Sequence, residues 1–309
     1  MSVLLWLLYA VIAALGAFML TPYIAERLRK PMNVEEERIK APGEFAELPS
    51  GVTHYRWFGP EDGKIVVCVH GLSTPSFAYE AMAKGLAIKG WRVLTYDLYG
   101  RDYSDNPKGP QDEDSFLAQL DELLENQGVT GKFSLVGYSM GGMISAVFAA
   151  RSPERIERLM LLASGGLQPV VREDSGIAYS DSYLSWWAAI VFGGMKLRQY
   201  IHAEKGARSI RDRQLKATRR RGYLPAVRSC IAHILTEDFE VQHRTIAEAN
   251  IPVLAIWGKL DVVVPIAALG TLAQWNRAAR QEVIEDASHA LPYSHPARVA
   301  LMFDTWAKG

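Results

Sequence analysis

Residues 64–70 read KIVVCVH and are bounded by Gly63 and Gly71. An unbroken apolar run of this length fits a strand buried on both faces, because a strand with one wet face alternates instead. Comparable runs recur at 91–97 (WRVLTYD), 132–138 (KFSLVGY), 158–163 (RLMLLA) and 252–257 (PVLAIW), with a first strand at 52–58 and a short one at 281–284. Helical patterns lie between them. Pro75 opens one that carries Tyr79, Met82, Leu86 and Ile88, and residues 112–126 place Phe116, Leu117, Leu120, Leu123 and Leu124 on one side. Further helices are predicted at MGGMISAVFAA, near 265–279 and at 296–307. Such β-α-β alternation predicts an α/β chain, a mostly parallel, doubly wound sheet with helices on both faces. Residues 165–248 break the pattern with a helical stretch, which reads as an insertion over the carboxyl ends of the strands.

Composition removes other classes. The 309 residues carry 34 basic and 34 acidic side chains, so no basic excess points to nucleic acid. Cys68 and Cys230 are too few and too far apart for a disulfide framework or a zinc site, and neither a metal nor a cofactor is expected. Val3 to Leu20 contains no charged residue. Eighteen helical residues span roughly 27 Å, near the thickness of a bilayer core. A single-pass membrane anchor over 1–25 is expected, with Arg27, Arg29 and Lys30 placing the body in the cytoplasm. A signal peptide cleaved on secretion is the competing reading, although nothing basic precedes the run. Residues 26–50 read as a tether. Without residues 1–30 the body keeps 31 basic and 33 acidic residues and should behave as a soluble domain.

Gly137-Tyr138-Ser139-Met140-Gly141 follows the 132–138 strand and opens a helix. That is the setting of a nucleophile elbow, in which a tight turn lifts a serine hydroxyl to a helix start. Asp261 follows the 252–257 strand and His289 the 281–284 strand, so both fall at the same sheet edge as Ser139. A serine, an acid and a histidine in that order form a nucleophile, an orienting carboxylate and a base. The amides of Met140 and Leu72 are the candidate oxyanion donors. His295 is a rival base, but its place before Pro296 favours a helix cap. Asp97 is a rival acid, read as holding its own loop, and Asp286 lies too near His289 in sequence. His70 reads as structural.

HGLSTPS (70–76), YDLYGRDYSD (96–105), GYSMGG (137–142), WGKLDVVVP (257–265) and ASHALPYSHP (287–296) together resemble the α/β-hydrolase superfamily over roughly residues 50–309. The resemblance implies a core of 51–164 and 249–309 with a helical lid of 165–248. Ser139 stands where haloalkane dehalogenases and epoxide hydrolases use Asp. GYSMGG with an anchor and a lid is similar to monoacylglycerol lipases and related carboxylesterases, although Tyr138 replaces a common His and Asp102 a common Gly. HGLSTPS lacks the second Gly of the C–C hydrolases. The expected activity is hydrolysis of small-molecule or lipid esters with apolar acyl groups. A C–C hydrolase, thioesterase, amidase or acyltransferase with the same triad, or a non-catalytic scaffold on this fold, are the alternatives.

In the insertion, Tyr183, Trp186, Trp187, Ile190, Val191 and Phe192 are expected to line an apolar cavity or meet the membrane. Trp186, Trp187 and Tyr138 are the candidate substrate-binding residues. Lys196 to Arg228 holds 11 basic residues against Glu204 and Asp212, which fits either a solvated face or contact with anionic headgroups.

Overall fold

A computed structural model describes residues 3–31, 34–167, 182–203 and 208–309. Eight strands form one sheet: β1 (Glu44–Leu48), β2 (Gly51–Phe58), β3 (Lys64–Val69), β4 (Trp91–Tyr96), β5 (Phe133–Tyr138), β6 (Ile156–Leu162), β7 (Val253–Gly258) and β8 (Arg280–Ile284). Their spatial order is β1-β2-β4-β3-β5-β6-β7-β8. The first three in that order pair antiparallel and the rest parallel. The helices are α1 (Val3–Leu28), α2 (Val34–Ile39), α3 (Glu80–Ile88), α4 (Glu113–Asn126), α5 (Met140–Arg151), α6 (Tyr183–Ala188), α7 (Gly194–Ala203), α8 (Arg208–Ala217), α9 (Tyr223–His233), α10 (Glu240–Glu248), α11 (Ala268–Trp275), α12 (Leu291–Ser294) and α13 (Pro296–Lys308). A π-helical turn, Ala189–Gly193, joins α6 to α7.

Alternation along the central strands splits the core into two layers, since successive side chains leave a strand on opposite faces. Val67, Val69, Leu135, Leu159, Leu161 and Ala255 pack on one face with residues of α4, α5 and α11. Val66, Cys68, Val136, Met160, Leu162 and Ile256 pack on the other with α3 and α13. This is the doubly wound sheet expected from the apolar runs.

The lead-in differs from the expected tether. Residues 44–48 are the edge strand β1, whose alternating EFAEL buries Ala46 and Leu48. Upstream of it, Arg38 donates to the Tyr103 carbonyl (2.9 Å) and to Asp105 (2.8 Å). The short charged run therefore docks on the core.

The N-terminal helix is long and apolar enough to cross a membrane, with a mean hydropathy of 2.5 over its best window, none of which is buried. It is nonetheless joined to the insertion. Pro22 has no N–H, so the carbonyl of Phe18, four residues back, loses its helical donor. Trp187 Nε1 donates to that carbonyl at 2.9 Å, and its ring stacks on Phe18. The Tyr183 hydroxyl donates to the Met19 carbonyl (2.6 Å), and Trp186 packs on Tyr23. Arg29 extends the junction by donating to the carbonyls of Ile190 (2.8 Å) and Thr218 (3.0 Å). Arg221 Nη2 donates to the Arg27 carbonyl and the Gly222 amide to Glu26, each at 2.5 Å. Residues 168–181 and 204–207 of the expected lid, including Glu204 and Lys205, lie outside the described residues.

Besides its bond to Glu26, Arg29→Ala removes both charge-assisted hydrogen bonds to the insertion, together worth about 3–6 kcal/mol of local docking. The expected outcome is proteolysis of the 182–222 region accelerated by about tenfold or more in the full chain, with the unfolding of the sheet core unchanged. Mass spectrometry of the fragments against time measures both.

Candidate active site

Ser139 sits at the junction of β5 and α5 with φ 54° and ψ −120°. A non-glycine residue held there stores about 1–3 kcal/mol of strain, which the surrounding packing must impose. The packing is tight because a Cβ on Gly141 would lie 2.1 Å from the Val69 carbonyl oxygen, and one on Gly137 2.4 Å from that of Gly141. Only glycine lets the helix start approach β3 so closely. The Ser139 amide donates to the Leu162 carbonyl of β6 at 3.0 Å, fixing the turn from the other side.

His289 and Asp261 meet Ser139 from two separate loops. His289 Nε2 lies 3.0 Å from Ser139 Oγ, and Nδ1 lies 2.8 Å from Asp261 Oδ2. Asp261 Oδ1 already accepts the amides of Val263 (2.8 Å) and Val264 (2.9 Å). A carboxylate so held can only accept from the ring, so Nδ1 carries the proton and Nε2 is free to accept the serine proton. The three residues are 28 to 150 positions apart along the chain, and both His289 and Asp261 are buried.

The loop carrying Leu72 is equally braced. His70 Nε2 accepts the Leu98 amide at 2.9 Å, which leaves Nδ1 to donate to the Gly71 carbonyl at 2.7 Å. Burial drives the His70 pKa down to about 4, so the ring stays neutral. Arg101, fully buried, donates to the Leu72 carbonyl at 3.0 Å. Met140 is the first residue of α5, where helix amides have no internal partner.

Asp97 does hold its loop. It accepts the Ser76 amide at 2.9 Å and pairs with His54 Nδ1 at 2.7 Å, and makes no contact with His289. Burial alone would raise its pKa, but the His54 hydrogen bond and charge outweigh that and hold it at about 2. His295 is the residue before α13. Its Nδ1 meets Ser294 Oγ (2.8 Å) and its Nε2 faces Asp286 (3.4 Å), away from Ser139. Asp102, in place of the expected glycine, has φ 36° and binds Arg213 at 2.5 Å. Burial, with Asp97 nearby, pushes it up to about 6 despite Arg213 and Arg220.

A cavity of about 510 Å³ opens over Ser139 and His289. Tyr138 and Leu72 line it, but Trp186 and Trp187 do not; they are spent on α1, as above. From the insertion, Leu197, Tyr200 and Ile201 of α7, Gln214 of α8 and Leu235 reach the cavity, with Gly165 to Leu167 at its start. Much of the wall is apolar, with Met143, Leu167, Leu235, Val263 and Val264. Near Leu72 the wall is polar: Gln214 Nε2 donates to Thr74 Oγ1 at 2.7 Å, and both side chains are buried. The sequence gives no sign of Gln214's place, because it sits in the most basic stretch of the chain, where a polar residue fits a solvated face. Among the described residues no group of His, Cys, Asp and Glu could hold a metal.

A family model described as alpha/beta hydrolase fold matches residues 64–296. The chain belongs to this family. It is 22% identical over 239 residues to Lipase 1 of Psychrobacter immobilis, covering 74% of this chain and 71% of the lipase. It is 27% identical over 240 residues to the pimeloyl-[acyl-carrier protein] methyl ester esterase of Aeromonas salmonicida, covering 76% of this hydrolase and 91% of the esterase. The enol-lactonase of Burkholderia xenovorans LB400 superposes with a TM-score of 0.71 at 23% identity, over 86% of this chain and all of that one. The hydrolase thus shares sequence pattern with a lipase and an esterase, and its fold with an enol-lactonase.

Asp97→Asn breaks a buried pair and leaves His54 without its carboxylate, so a loss of about 3–5 kcal/mol is expected in urea unfolding. The pH dependence has a definite sign. A carboxylate held below its unfolded value of about 3.9 stabilises the fold above that pH. The contribution fades as pH falls from about 4 to about 2, and the Asn variant should lack this part of the acid transition.

Proposed function

We propose that this hydrolase is a serine esterase of the lipase type that cleaves carboxylic esters of apolar acids. The observation that carries the reading is the chain Ser139–His289–Asp261, hydrogen-bonded in order beneath a largely apolar cavity. His289 Nε2 takes the Ser139 proton as Oγ attacks the ester carbonyl. Asp261 keeps the ring in the required tautomer and stabilises the imidazolium. The Leu72 and Met140 amides receive the oxyanion on a loop and helix start that are already ordered, so no reorganisation is needed as charge develops. His289 then protonates the leaving alcohol, leaving an acyl group on Ser139 Oγ. Water activated by the same ring attacks it, releases the acid and restores the serine.

The cavity supports a division of the substrate. An apolar acyl chain fits the wall of Met143, Leu167, Leu235 and Val264, while Thr74 and Gln214 face a polar alcohol portion. The relatives named as lipase and as methyl ester esterase agree with an ester bond. We further read α1 as a single-pass anchor that holds the body on the cytoplasmic face, because all its nearby basic residues follow the apolar run.

Assayed in detergent against acetyl to long-chain esters and a monoacylglycerol, the wild type should prefer medium or long acyl groups. Ser139→Ala should lower kcat by about 10⁴-fold or more. Equal turnover by the alanine variant, or none by the wild type on any ester, would overturn the esterase reading. Gln214→Leu should raise KM for a monoacylglycerol by about tenfold while leaving KM for the methyl ester of the same acid within about twofold, the scale of one hydrogen bond to a buried amide.

A further inference from the structure

A second cavity, of about 320 Å³, lies where the N-terminal helix meets the insertion. Lys30, two residues past the end of α1, forms one side, and Lys216, Arg219 and Arg220 form the other, with Glu37 and Asp212 between. Its backbone is held together by the Lys30 amide donating to the Arg219 carbonyl (3.2 Å) and the Arg221 amide to the Lys30 carbonyl (2.9 Å). The charges are not all spent. Arg220 is buried and binds Glu37 and the Asp102 carbonyl; Lys216 also reaches Glu37, at 3.2 Å. Asp212 lies toward Arg208 at 3.9 Å. The exposed side chains of Lys30 and Arg219 pair with no carboxylate among the described residues. Two like charges thus stand at one opening, with Glu37 engaged by Arg220 and Lys216 and Asp212 turned toward Arg208, and a bridging oxyanion would turn their repulsion into attraction.

We infer that this cavity binds a phosphate group, supplied by an anionic phospholipid of the leaflet that α1 enters. The phosphate offers several acceptor oxygens to the ammonium and guanidinium groups, and the cavity has room for the adjoining glycerol. Lys30 follows the apolar span directly, so a membrane-inserted α1 sets the opening at headgroup depth, where anionic lipid is concentrated. The bridge would join the anchor to the insertion at Lys30 and Arg219. Two residues before Lys216, on the opposite side of the same helix, is Gln214, which lines the cavity over Ser139. Bound anionic lipid would therefore tighten the insertion over the active site. The inference rests on α1 spanning a membrane and not on the nature of the ester cleaved.

The test uses the full chain in nanodiscs of phosphatidylcholine alone or with phosphatidylglycerol added. Native mass spectrometry counts the lipids retained, and limited proteolysis follows the insertion. Wild type should keep phosphatidylglycerol in preference to phosphatidylcholine and be protected by it. Lys30→Gln with Arg219→Gln should lower that preference by roughly tenfold or more. Neither side chain makes a hydrogen bond or ion pair among the described residues, and Arg277→Gln, which removes an exposed cation elsewhere, should bind as wild type does. No preference in the wild type, or the same preference in the double variant, overturns the site. Protection by inorganic phosphate in phosphatidylcholine alone, lost in the double variant, would support a phosphate site and assign it to a soluble ligand. Flotation of the wild type with phosphatidylcholine vesicles reports on the membrane reading separately.

Discussion

The approach of α5 to β3 at Gly141 is the contact on which the candidate site depends. It brings the start of a helix against the carbonyls of Val69 and His70, closer than any Cβ permits. That closeness holds Ser139 at φ 54° and puts the hydroxyl and the Met140 amide at the same end of the sheet. The strain is borne by β5, buried along its whole length, and by the buried end of β3. The same β3 leads into His70 and Gly71, so the element that permits the turn also carries the loop of Leu72, the other candidate oxyanion donor.

Buried ionic and polar groups organise the rest of this edge. His70, Asp97 with His54, and Arg101 all sit inside the fold and all end on loop backbone. Desolvation makes each costly unless fully bonded, so each loop has few arrangements that satisfy its buried group. Rigidity of the loops around the candidate site follows from that restriction. The wall made by the insertion is held differently, by carbonyl-directed hydrogen bonds from Arg29 and Trp187 at its outer side. One part of the cavity is thus set in the core, and the other is hung from the N-terminal helix.

Much of this was legible in the residues. Five apolar runs flanked by glycine or polar turns mark buried strands, because burial on both faces demands continuous hydrophobicity. Ser139 and Asp261 stand just past such runs and His289 past the short strand at 281–284, so a parallel sheet, which delivers these loops to one edge, brings all three to the same end. The edge strand at 44–48 was harder to see, since a half-exposed EFAEL looks like any charged lead-in. The aromatic residues of the insertion were harder still. Composition says that Trp186 and Trp187 must be covered, but not by what, and the cover turned out to be Phe18 and Tyr23 rather than the cavity.

The sequence by itself determined the α/β alternation, the serine turn and the placing of Asp261 and His289 at the same sheet edge, since these depend on local pattern and on the direction of parallel strands. Tertiary structure alone decided which partner each exposed-looking group would find. Pro22 leaves a carbonyl unbonded, but only the packing of the insertion brings Trp187 Nε1 to it. Gln214 lies in a run of basic residues, and only the docking of α8 turns it inward to Thr74. Both choices join residues more than a hundred positions apart, where no periodicity along the chain carries the information.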